Sequence, residues 1–203
     1  MLPTLFVSHG SPMHAMNAGR AGDVWAELGR TLPKPSAVLM ASAHWETELP
    51  MLSTTPRPET IHDFGGFPPE LYEIRYPAPG APDVAEQAIR MLQSSGLTGT
   101  ANACRGLDHG AWVPLRRMFP NADLPVAQVS IQPSLDAAHH LHAGQALAPL
   151  TREGVLIIGS GHITHNLRDW MASVRQRGSR AVAEGAADSY VTEFREWIAE
   201  ALE

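Results

Sequence analysis

Gly154-Val155-Leu156-Ile157-Ile158-Gly159-Ser160-Gly161-His162 is the stretch on which the fold turns. Four large apolar residues run together, three of them β-branched, and glycines close the run on both sides. The run is too short for a buried helix and reads as a strand covered on both faces, as in a parallel sheet. The same signature recurs three times. Leu5 to Ser8 stops at His9-Gly10, Ala37 to Ala41 stops at Ser42-Ala43-His44, and Leu124 to Ile131 carries Val126, Val129 and Ile131. Helical patterns lie between and after these runs. Ala21 to Leu32 places Trp25, Leu28 and Leu32 near one face, and Asp83 to Ser95 opens after Pro82 with Val84, Ala88, Ile89 and Leu92 at helical spacing. Leu135 to Leu150 has Ser134 as a candidate N-cap and Asp136 in its first turn. Arg180 to Leu202 carries an apolar face of Val182, Ala186, Tyr190, Phe194 and Trp197, which should dock on the sheet. Strands alternating with helices predict an α/β fold: a single domain with a largely parallel or mixed central sheet flanked by helices.

Composition narrows the function classes. A length of 203 residues points to one domain, and 44% hydrophobic with 18% charged residues is a globular balance, too apolar for disorder. Fifteen basic residues face 21 acidic ones, for a net charge of −6, with no block of Lys and Arg. Nucleic acid and anionic membrane are therefore not expected as partners. The one cysteine, Cys104, excludes an internal disulfide and a Cys-rich zinc module, and fits a reducing, cytoplasmic setting. No apolar run approaches the ~18 residues of a membrane span. Met1-Leu2-Pro3-Thr4 lacks the basic and long apolar regions of a signal peptide. The unusual count is ten histidines, because His is the commonest transition-metal ligand and acid/base group.

The histidines are placed where chemistry is expected. His9, His44 and the pair His162/His165 each follow a predicted strand, and ligands of open α/β sheets bind beyond the carboxyl ends of the strands. His109 sits in Leu107-Asp108-His109-Gly110-Ala111-Trp112, read as a Gly-flanked loop. Buried imidazoles need partners or a metal. The economical reading is one metal site plus one or two acid/base histidines, with zinc, iron, copper and nickel all compatible with imidazole ligands. Residues 50–82 carry repeated prolines among glycines and the aromatics Phe64, Phe67, Tyr72 and Tyr76, the signature of a long ordered loop near the site. His14 and His62 read as supporting or loop residues, and His139, His140 and His142 as surface or packing residues of one helix.

Ser8-His9-Gly10-Ser11-Pro12, Ser42-Ala43-His44-Trp45-Glu46, Asp108-His109-Gly110-Ala111-Trp112, and Gly159-Ser160-Gly161 followed by His165-Asn166-Leu167, in this order, resemble the class III extradiol ring-cleavage dioxygenases. The similarity is greatest to the 4,5-DOPA dioxygenase type and runs from Ser8 to Leu167. It implies a catechol-type substrate, O2 and a non-heme Fe(II), with Zn(II) as a possible bound or substituted metal. It implies His9 and His44 as metal ligands, His165 as the catalytic acid/base and His109 as a second catalytic histidine beside substrate and oxygen. The family's third ligand belongs to a C-terminal segment. The sequence here stops at Glu203 within a helical pattern without a Gly or Asn cap, so a missing C-terminal segment and a metal held by two protein ligands are expected. Glu46, Glu200 and Glu203 are the acidic residues weighed for the third position. A zinc hydrolase built on the same histidines, or a non-catalytic metal-binding relative, are the alternative readings. Arg75, Arg105 and Arg168 are the cations considered for a substrate carboxylate.

Overall fold

The computed structural model describes residues 1–178 and 188–202. The chain divides into two compact units, Met1–Gly161 and His162–Glu203. The first unit holds a six-stranded sheet: β1 (Thr4–Ser8), β2 (Ala37–Glu46), β3 (Met51–Ser53), β4 (Thr100–Asn102), β5 (Val126–Ile131) and β6 (Val155–Gly161), in the order β1-β6-β2-β5-β3-β4. All pairings are parallel except β3 with β5, so the sheet is mixed and the α/β expectation holds. Its helices are α1 (Gly19–Thr31), α2 (Pro69–Glu73), α3 (Pro82–Ser94), α4 (His109–Met118) and α5 (Ala137–Leu147). The second unit contributes α6 (Leu167–Arg177) and α7 (Ser189–Leu202).

The continuous apolar runs are explained by two cores, one on each face. Along β2, Val38 and Met40 enter one core with α1 and α4, while Ala37 and Leu39 enter the other with α3. In β6, Leu156 and Ile158 join the first core and Val155 the second. Period-2 alternation thus sends successive residues of these stretches of β2 and β6 to different apolar layers. The run at β1 departs from this reading. β1 is an edge strand, and Phe6 is 59% exposed.

Six local expectations need correction. Residues 50–82 are not one loop, because they include β3 (Met51–Ser53) and α2 (Pro69–Glu73). β2 continues past Ala41 to Glu46, so His44 lies within the strand, where its register against β5 shifts. Asp136, not Ser134, caps α5, because its carboxylate accepts the His139 N–H at the helix start. The helix expected to run to Leu150 ends at Leu147 and tightens into a 3-10 segment, Ala148–Glu153, closed by Gly154 at φ 85°. His109 is not in a loop but opens α4. In α7, Tyr190, Phe194 and Trp197 are exposed rather than buried, and Phe194 stacks on Trp197 at 5.5 Å. Residues 180–187 of the expected helix lie outside the described residues.

Candidate metal centre

Three backbone features bring three imidazoles together. β1 ends at Ser8, paired with Gly161, and the His9 N–H extends that pairing to the Gly161 carbonyl (3.3 Å). Gly10 then turns at φ 69°, and a Cβ there would stand 2.5 Å from the His14 ring. The position is reserved for glycine on both counts. His14 Nδ1 accepts the Ser11 N–H (2.9 Å), which fixes the short 3-10 turn Pro12–Ala15 after it. The second imidazole, His44, projects from the end of β2. The third, His109, is the first residue of α4, whose N-cap Asp108 accepts the Ala111 N–H (3.2 Å).

A proline holds the first ring. Pro114 lies inside α4 and has no N–H to give the Gly110 carbonyl four residues back. The Ser160 hydroxyl donates to that carbonyl instead, at 2.5 Å. With its proton committed there, Ser160 Oγ must accept from His9 Nδ1, 3.0 Å away. The network therefore assigns the Nδ1–H tautomer to His9 and turns its Nε2 lone pair toward His44.

Beneath His44 is a buried polar cluster. Ser42 Oγ accepts the His44 N–H (3.2 Å) and donates to Asp108 Oδ1 (2.6 Å). Arg105 donates to Asp108 Oδ2 (2.6 Å) and to the His44 carbonyl (3.1 Å), lies 5.1 Å over the Trp45 ring, and Gln128 completes the set on Asp108 at 3.1 Å. Gly110 belongs to the same packing, because a Cβ on it would overlap Ser42 Oγ and press on His44 Cδ2 at 3.1 Å. Arg105 is thus engaged by a buried carboxylate. Arg75 donates to the carbonyls of Tyr72 and Ile74, and Arg168 is exposed on α6.

The resulting geometry is compact. His9 Nε2 and His44 Nε2 are 3.1 Å apart, and the ring centroids are 4.9 Å (His9–His44), 4.0 Å (His44–His109) and 5.2 Å (His9–His109). One ring nitrogen from each of the three lies within 4.8 Å of the others. Two nitrogens bound at ~2.1 Å to one ion at about a right angle stand about 3.0 Å apart, so the spacing of His9 and His44 fits a shared cation. His9 and His109 are 2% and 5% exposed, so the centre is open mainly at His44. Asp63 faces it from the 50–82 segment: Oδ1 accepts the His109 N–H (2.9 Å), and Oδ2 is 3.0 Å from His109 Nδ1, off the ring N–H direction, and 3.5 Å from His44 Nδ1. Burial pushes the Asp63 carboxyl up, but the hydrogen bonds and charge of His109 outweigh it and hold the group at about 2. Phe64 stands edge-on to His109 at 5.6 Å and, with Phe67, Tyr72, His62 and Trp112, forms an aromatic wall.

Of the residues read from the sequence, His9, His44 and His109 converge. His162 and His165 lie in the second unit with ring centroids 5.0 Å apart, and His165 is exposed just before Asn166, which caps α6. Glu46 and Glu200 are exposed, and Glu203 lies outside the described residues. Asp63 escaped sequence reasoning, and Ser160 is visible there as part of the Gly159-Ser160-Gly161 motif without a role of its own.

A family profile described as the catalytic LigB subunit of aromatic ring-opening dioxygenase matches residues 3–202. The chain belongs to this family. It is 43% identical over 203 residues to a 4,5-DOPA dioxygenase extradiol of Beta vulgaris, covering 98% of this chain and 72% of that protein. It is 40% identical over 197 residues to one of Escherichia coli K12, covering 97% and 69%. Among solved structures, uncharacterized protein JW3007 from Escherichia coli K12 superposes with a TM-score of 0.69 at 36% identity, over 83% of this chain and 63% of that one. This family of extradiol ring-opening dioxygenases is the one indicated by the His9, His44, His109 and His165 motifs, and the three converging histidines can hold its metal. Among the described residues, no helix is long and apolar enough to cross a membrane.

Proposed function

We propose that this chain opens the ring of a catechol-type substrate with O2, in the extradiol manner, at an Fe(II) centre in the cytoplasm. The observation that carries the reading is the 3.1 Å approach of His9 Nε2 to His44 Nε2, with His109 alongside, in a member of a ring-opening family. His9 and His44 are the proposed ligands. Few protein ligands leave positions for substrate and oxygen. Bound there, Fe(II) would supply the electron path between a singlet catechol and triplet O2. Zn(II) suits the same imidazoles and is the expected contaminant.

The protein's own contribution is orientation and proton handling. Ser160 holds His9, Asp63 faces His44 near the end of β2, and α4 holds His109 beside both rings, where it would adjoin a bound metal. The wall of Phe64, Phe67 and Tyr72, whose rings meet edge-on or tilted, offers an apolar surface for an aromatic substrate. The catechol must lose a proton to bind through both oxygens. A neutral imidazole, with an ordinary pKa near ~6.5, is a base of matching strength. We assign that acid/base role to His165, on its motif, with His109 assisting. The test is oxygen uptake by anaerobically Fe(II)-loaded protein against a catechol panel that begins with DOPA, the compound in the relatives' names. Stoichiometric O2 consumption with a yellow ring-opened product is expected. No uptake with any catechol, despite full iron occupancy, would refute the proposal.

A further inference from the structure

We propose that Asp63 is the positioning residue of the histidine centre: a single carboxylate that sets the ring orientation and proton position of both His44 and His109. The inference deepens the proposed metal site and relies on it only for the affinity measurement below. Asp63 belongs to the Pro- and Gly-rich segment before α2, far in sequence from His9 and His109. Its Oδ1 accepts the backbone N–H of His109, which pins the carboxylate at the start of α4 (2.9 Å). The other oxygen, Oδ2, is then placed against two rings at once, 3.0 Å from His109 Nδ1 and 3.5 Å from His44 Nδ1.

A carboxylate only accepts hydrogen bonds. Oδ2 lies off the His109 ring N–H direction, yet its negative charge this close to Nδ1 repels a lone pair there and favours the Nδ1–H tautomers, which leave the lone pair on Nε2. In His44 that nitrogen is the one 3.1 Å from His9 Nε2. Ser160 imposes the same tautomer on His9 by a separate route through Gly110 and Pro114. Two unrelated anchors thus face the δ nitrogens: a hydroxyl bonded to that of His9, and a carboxylate charge beside those of His44 and His109. Outer partners of this kind raise ligand basicity and fix the ring plane, and their loss costs ~10–100-fold in metal affinity. Asp63 is also 23% exposed at its side chain, so isosteric replacement leaves both cores untouched.

The experiment is Asp63→Asn, compared with the wild-type protein in two measurements. Long-range nitrogen–proton NMR correlations on histidine-labelled apo protein read the tautomers directly. Competition titration with Co(II) and Zn(II) reads affinity. Wild type should show Nδ1–H at His44 and His109. In the variant, the introduced amide can keep its carbonyl on the His109 N–H, but it then turns its NH2 toward the rings. Asp63→Asn should therefore shift at least one ring to Nε2–H and bind either metal ~10–100-fold more weakly. Unchanged tautomers with unchanged affinity would overturn the assignment. If wild type binds neither metal, the metal reading fails, and the tautomers still decide the role of Asp63. If Asp63→Asn does not fold, the wild-type spectra decide alone: Nδ1–H at both rings supports the proposal, and Nε2–H at both overturns it.

Discussion

Two groups of three histidines occupy the first unit, and they are arranged in opposite ways. His139, His140 and His142 lie along α5 within four residues of one another. There the ε nitrogens are the ones consumed: His139 Nε2 meets Gln132 Oε1 at 3.1 Å, and His140 Nε2 accepts the Gln132 N–H at 3.2 Å. His140 Nδ1 is bound to the Asp136 carbonyl as well, at 2.8 Å, and His142 is exposed. His9, His44 and His109 come from three elements up to 100 residues apart in sequence, and their δ nitrogens are the ones that face Ser160 and Asp63. Helical geometry turns each successive residue by about 100°, so the three do not share one face: His139 and His140 meet at Gln132, with ring centroids 5.2 Å apart, while His142 is exposed. Strand ends and a helix start aim side chains from different directions at one point. Clustering in sequence and convergence in space are therefore different properties, and only the second makes a metal centre.

The contrast can be broken at its strongest point first. His9→Ala or His44→Ala should abolish metal binding and turnover while the circular dichroism spectrum stays native. Full metal occupancy in either variant contradicts the assignment. Next in size is His165→Ala. It should retain metal and catechol binding but lose turnover by ~10²–10⁴, the usual range for an acid/base group. Loss of metal instead would make His165 a ligand. Ser160→Ala is a finer probe, because it removes the acceptor at His9 Nδ1 and leaves the Gly110 carbonyl without its donor. Metal affinity should fall ~10–100-fold, as measured by chelator competition, with the three site histidines still present. Wild-type affinity in this variant would mean that the link from Pro114 through Ser160 does not act on the metal. The smallest effect is expected at His142→Ala, within ~0.5 kcal/mol of wild-type stability by urea unfolding and with metal affinity unchanged. Weaker metal binding there would show that the helix histidines also contribute.

The legible parts of the molecule are those with strong local signals. Each of the four apolar runs forms a strand, and in β2 and β6 burial in two apolar layers accounts for the uninterrupted hydrophobic sequence. β3 and β4, three residues each, carry too little pattern to be read. α4 is hidden by its own function. Gly110 and Pro114 are helix breakers by propensity, yet Gly110 makes room for His44 and Pro114 frees the carbonyl that orients Ser160. Asp108 as N-cap is the available signal for that helix. His9 and His44 are visible as residues near strand ends. Asp63 is not, because a carboxylate in a loop has no periodicity, and only tertiary folding brings it to His109. The contact between that loop and the histidines explains why residues 50–82 keep aromatic side chains among so many prolines.

The proposal that His9 and His44 together hold the catalytic metal through their ε nitrogens, with His109 beside them, is tested most directly by anomalous diffraction from crystals loaded anaerobically with Fe(II). One iron is expected within ~2.0–2.2 Å of both Nε2 atoms, the range for imidazole ligands, with Ser160 and Asp63 still on the δ nitrogens. Iron bound elsewhere, or bound through Nδ1 of either ring, would contradict it.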